Sequence, residues 1–179
     1  MAIFNEIYNR TVADGNAILS AYVKSGMDVD AKNYEGKSVL FAAASMGLTA
    51  GVKQLIDAKA DVNAKANDGY TALVVAIGNG YVDIPILLIK ANADVNINDN
   101  KYGMTALMLA AEKGNKELVH LILKAKANLN IKDKDGQTAL DYATKNGHKD
   151  IVEILSKPHA DTVKRQSNDL QTKPWWKFW

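Results

Sequence analysis

Apolar residues return along this chain in a fixed order. A polar turn bearing a glycine leads into a mostly apolar block in NYEGKSVLFAAASMG (33–47), NDGYTALVVAIGNG (67–80), KYGMTALMLAAEKG (101–114) and KDGQTALDYATKNG (134–147). Behind the second glycine of each copy lies a segment with apolar residues at i, i+3 and i+4: Val52, Leu55 and Ile56; Ile84, Leu87 and Leu88; Leu118, Leu121 and Ile122; Ile151, Ile154 and Leu155. That spacing sets three side chains on one face of a helix turned toward a neighbour. A second polar phrase, in the forms MDVDAK, ADVNAK, ADVNIN and ANLNIK, links one copy to the next. The unit therefore predicts a turn and two helices, repeated every 33 or 34 residues. Residues 14–32 fit the second half of the same unit, with Leu19, Tyr22 and Val23 as the triplet, while residues 3–13 lack the turn phrase and read as a terminal cap.

Several marks coincide in register. The turn glycines Gly36, Gly69, Gly103 and Gly136 are followed two residues later by a hydroxyl, Ser38, Thr71, Thr105 and Thr138, and then by Leu40, Leu73, Leu107 and Leu140; Gly47, Gly80, Gly114 and Gly147 separate the two helices. This combination resembles the ankyrin repeat. The resemblance implies an all-α solenoid with projecting β-hairpin-like fingers. Its domain would span residues 1–157, as a cap (1–33) and repeats at about 34–66, 67–99, 100–133 and 134–157, followed by a polar linker and tail (158–179). A helix pair with an uncovered apolar face becomes stable by stacking on the next pair. The hydroxyls are placed to cap the first helices by accepting from open backbone amides.

Three departures from the family pattern carry consequences. The proline that usually follows the hydroxyl is replaced by Val39, Ala72, Ala106 and Ala139. The glycine that usually ends the second helix survives as Gly26, with Lys59, Asn92 and Lys126 at the equivalent positions; a left-handed conformation there would cost about 1 kcal/mol per lysine, and a stack less stable than a consensus one is expected. Pro85 falls near the start of a second helix, where a first turn tolerates it or it bends the helix. The third finger, from Asn96 to Gly103, is one residue longer than the finger from Asn63 to Gly69.

Composition removes some classes of function. The net charge of +2 resides in residues 158–179, where Lys164, Arg165, Lys173 and Lys177 face Asp161 and Asp169, so the repeat body is neutral and lacks the basic stripe of a nucleic-acid binder. No cysteine is present, which fits a reducing compartment. No basic-then-apolar leader and no membrane-length apolar stretch is seen, so a cytoplasmic location is expected; a monomer is expected as well. Asp94, Asn96 and Asn98 imitate the start of a calcium loop, yet Asp99 stands where glycine is needed and Thr105 where glutamate is needed; the reading preferred is asparagines bonding their own turns. His120, His148 and His159 have no ligand spacing and no companions for a nucleophile dyad. No catalytic residue, metal or cofactor is assigned, and no enzyme is expected. His148 matches a family position whose histidine bonds turn backbone.

The resemblance implies partner contact through the fingers and the concave face, near the finger tips and the ends of the first helices. On this sequence the residues singled out are Tyr34, Lys37, Met46, Tyr70, Asn79, Lys101, Tyr102, Met104, Lys113, Lys134 and Lys145. Tyrosine and methionine are enriched at interface centres, which favours an aromatic track gripping another protein; the competing reading has the tyrosines bracing adjacent fingers. The tail ends in PWWKFW, with Trp175, Trp176, Phe178 and Trp179 as a second candidate motif. Three placements would take these rings out of water: a lid on the terminal helix pair, a short motif inserted in another protein, or a bilayer interface. The expected function is noncatalytic protein binding as an inhibitor, immunity or regulatory partner, with a secreted host-directed effector or a membrane-peripheral adaptor as alternatives.

Overall fold

A computed structural model describes residues 2–8 and 11–157. These form ten helices: α1 (Ala2–Tyr8) and α2 (Val12–Lys24), then α3 (Val39–Ser45) with α4 (Thr49–Asp57), α5 (Ala72–Gly78) with α6 (Asp83–Lys90), α7 (Ala106–Glu112) with α8 (Lys116–Lys124), and α9 (Ala139–Lys145) with α10 (Lys149–Ser156). Odd-numbered helices pack each against the next in one row, even-numbered helices do the same in a second row, and every pair also packs internally. The result is an all-α repeat solenoid. Helix α1 takes a first-helix place against α2 and α3, with Phe4 and Ile7 buried. Part of the segment read as the cap's first half belongs to α2 instead, because Thr11 caps that helix by accepting from the Asp14 amide at 3.3 Å.

Helices of seven residues are too short to persist alone. In α3, α5, α7 and α9 each is started by a side-chain cap: Ser38, Thr71, Thr105 and Thr138 accept from the amides of Phe41, Val74, Met108 and Asp141. The same helices bury Leu40, Leu73 and Leu107 almost completely. Pro85 lies in the first turn of α6, where its missing N–H would have had no intrahelical partner.

The second helices end as their sequence positions suggest. Lys59, Asn92 and Lys126 adopt φ of 69°, 64° and 65°, in line with 72° at Gly26. The following amides of Ala60, Ala93 and Ala127 reach back to the carbonyls of Leu55, Leu88 and Ile122, closing the helix ends despite the strained residue.

The apolar triplets do not share one register. Counted from the interhelix glycine, Ile84, Leu118 and Ile151 correspond to Gly51, and Leu87, Leu121 and Ile154 correspond to Gln54. A Cβ on Gly51 would lie 2.3 Å from Leu19 Cδ1. Gly51 therefore lets α2 approach α4, and its amide is held by Asn16 Oδ1 at 2.8 Å. The inward face of α4 rests on Val52 and Leu55, both fully buried, at the positions that Val119 and Ile122 fill in α8.

Candidate partner-binding surface

Each finger is closed by a backbone bond across the base of its turn. The amides of Asn33, Ala66 and Asp133 donate to the carbonyls of Lys37, Tyr70 and Gln137, four residues on. In the third finger the Asp99 amide donates to Met104, five residues on, so the additional residue sits in the turn itself. Antiparallel bridges pair Lys32 with Ser38 and Asn98 with Thr105. The buried Asp99 carboxylate stabilises the wide turn by accepting from the amides of Lys101, Tyr102 and Met104. Asp99 is a determinant of this surface that the sequence reading missed; its position ahead of the lengthened turn was the available signal.

Neighbouring fingers are tied together. The amides of Asn67, Asn100 and Lys134 donate to the carbonyls of Glu35, Asp68 and Tyr102 in the preceding finger, at 2.8–2.9 Å. The approach is close enough that a Cβ on Gly69, whose φ is 85°, would fall 2.5 Å from the Asn100 amide nitrogen. Glycine is required there on both counts.

Behind the fingers runs a second chain of bonds. Asp28, Asp61, Asp94 and Asn128 each accept from the amide two residues on, within their own turns. Asp30, Asn63 and Asn96 instead accept, at 2.7 Å, from the amides of Asp61, Asp94 and Asn128 in the next repeat. Asn96 was expected to bond its own turn, but its oxygen crosses to the adjacent unit, and the own-turn acceptor is the aspartate Asp94. His148 likewise reaches across, its Nε2 3.0 Å from the Glu112 carbonyl.

The residues singled out in sequence take different places. Tyr34 is 78% exposed at the tip of the first finger, and Tyr102 is 48% exposed. Tyr70 is half-buried; burial first, and then the charge of Asp99 and the proximity of Tyr102, raise its pKa and keep the phenol neutral. Lys101 Nζ lies 4.6 Å from the Tyr102 ring centroid, a cation–π arrangement. The wide turn thus brings Tyr70, Lys101 and Tyr102 together across two fingers. Lys37 pairs with Glu35 at 2.9 Å and lies over the Phe41 ring. Met46 and Met104 are half-buried against the core. Asn79 donates to the Ser45 carbonyl at 2.9 Å and Lys134 Nζ donates to the Asn100 carbonyl, so both tie adjacent repeats. Lys113 and Lys145 are exposed at the ends of α7 and α9. Trp175, Trp176, Phe178 and Trp179 lie outside the described residues.

No group of acidic or histidine side chains suited to a metal occurs among the described residues. No helix among them is long and apolar enough to cross a membrane. The family model described as ankyrin repeats (3 copies) matches residues 10–99 and again 87–166, and the chain belongs to the ankyrin repeat family. Ankyrin repeats generally serve as protein-interaction modules and are typically noncatalytic. No curated protein matches the chain.

Proposed function

We propose that this chain is a noncatalytic binding module that recognises one protein partner through its fingers and the ends of its first helices, and that it acts on that partner by occlusion, as an inhibitor, immunity or regulatory protein. The observation that carries the reading is the cluster of Tyr70, Lys101 and Tyr102 at the widened third finger, with Tyr34 exposed on the first. The two tyrosines offer large contact area with few side-chain torsions to freeze, and the long lysine stem already lies against a ring. The fingers are tied backbone to backbone, so the rings are presented on a rigid support and less ordering is needed on binding. The body, residues 1–157, would work as a cytoplasmic monomer, with no nucleic acid and no cofactor involved.

Affinity capture from a lysate of the source organism tests the reading, with full-length bait and a Tyr70→Ala/Tyr102→Ala bait compared by mass spectrometry. The expected result is a partner retained by the first and lost from the second, at least 10-fold weaker, which corresponds to about 1.4 kcal/mol at 25 °C. Unchanged capture by a double variant with normal helical circular dichroism would sink the assignment of this cluster. Loss of helicity in that variant would identify the rings as braces of the stack.

A further inference from the structure

The fourth repeat exposes what the other repeats bury. Leu40, Leu73 and Leu107 are each 1% exposed, yet their equivalent Leu140 on α9 is only half-buried. Val52 and Val119 are fully buried, whereas Val152 on α10 is half-buried. The reason is positional: α9 packs on α7 and α10 packs on α8, and no element among the described residues lies beyond them. The sequence concedes part of this face to solvent, with Asp141 where Phe41, Val74 and Met108 stand and exposed Thr144 where Ala44, Ile77 and Ala111 stand. Leu140 and Val152 keep the apolar character of an interior unit.

The sequence runs on from α10 at Lys157 through 22 further residues, which lie outside the described ones. Their one dense apolar cluster holds Trp175, Trp176, Phe178 and Trp179. Extended, 22 residues reach about 70 Å, several times the roughly 20 Å width of a helix pair. The linker is therefore long enough to return to the face beside which it departs. A covalently attached occupant is also present at high effective concentration, which favours it over a separate molecule for so small a patch.

We propose that residues 158–179 fold back on their own repeat domain and cover the outer face of α9 and α10, the aromatic cluster seating on Leu140 and Val152 where a further repeat would stack. This goes beyond the binding reading and does not depend on it.

All three tryptophans of the chain lie in that cluster, so tryptophan fluorescence of the full chain reports on it alone. The expected result is emission blue-shifted relative to the protein in denaturant and protected from acrylamide, at all concentrations and with a monomer by light scattering. Leu140→Glu and, independently, Val152→Lys should move the emission toward the denatured position and raise quenching while far-ultraviolet circular dichroism is kept. Met27→Glu, at an exposed site in the loop after α2, should leave both unchanged. Emission already at the denatured position in the native protein overturns the proposal. So does a blue shift that survives both substitutions, or one that responds to Tyr70→Ala/Tyr102→Ala instead, which would seat the tail on the fingers. A blue shift lost on dilution together with a dimer would place the tail on a second copy and overturns it as well.

Discussion

The Tyr142 hydroxyl donates to the Asp133 carboxylate at 2.6 Å, joining the α9 helix to the base of its own finger. Burial alone would raise the pKa of Asp133, but this bond and the amides of Gln137 and Asp135 outweigh it and hold the carboxyl below its ordinary value; the same bond first, then burial, pushes the Tyr142 phenol far up. A depressed carboxyl pKa stabilises the fold above the unfolded value, near about 3.9, and that stability is lost as pH falls through the folded value. Urea titrations should therefore show stability declining below about pH 4. Tyr142→Phe is expected to lower stability at neutral pH by about 1–2 kcal/mol and to make the acid decline shallower, since the folded pKa of Asp133 moves back up. An unchanged acid profile in the variant would mean that the bond does not set that pKa.

Lys59 and Lys126 occupy left-handed backbone at φ of 69° and 65°. Lys59→Gly and Lys126→Gly should each raise stability by about 0.5–1 kcal/mol, the relief of strain being partly offset by the greater freedom of glycine in the unfolded chain. Asn92→Gly should gain less, because asparagine tolerates this region. Chemical denaturation of the three variants gives the order directly, and a loss in either lysine variant would contradict it.

Gln54 carries the one buried side-chain oxygen without a hydrogen-bond partner among the described residues. Its counterparts in the following units are Leu87, Leu121 and Ile154. Gln54→Leu should stabilise the protein by about 1 kcal/mol, by removing an unsatisfied acceptor and adding apolar contact. A lower thermal midpoint in this variant would show that the amide is better solvated than its burial implies.

Asn63 Oδ1 holds the Asp94 amide of the next repeat. Asn63→Ala should destabilise by about 1 kcal/mol, whereas Asn63→Asp should be nearly neutral, since Asp30 makes the same bond one unit earlier. Hydrogen exchange at the Asp94 amide offers a local readout, with faster exchange expected in the alanine variant alone.

Much of this architecture could be read from spacing. The capping hydroxyls, the helix pairs and the left-handed helix ends all depend on neighbours within a few residues, and such relations repeat visibly. What escaped joins residues that are one repeat apart. Asn96 looks like a turn residue because its actual partner, the Asn128 amide, is 32 residues away. Gly51 looks like a flaw in an amphipathic helix until Leu19 is found in the space it leaves. For the candidate surface, sequence positions nominated Tyr70, Lys101 and Tyr102 individually. Their meeting across two fingers depends on the widened turn and on Asp99 buried beneath it, which local propensity does not encode.

The alternation of bonds from Asp28 through Asp30, Asp61, Asn63, Asp94, Asn96 and Asn128 has the same form at every step. Each acceptor finds its donor by an offset rather than by a unique address. A tandem duplication of one whole period would thus present every new donor to an acceptor already of the right kind, and excision of one would rejoin the series without an orphan. Lengthening or shortening by whole units is written into the wiring of this molecule, and the third finger shows that a single added residue is absorbed in a turn, since Asn96 still reaches the Asn128 amide 32 residues on where Asp30 and Asn63 reach 31.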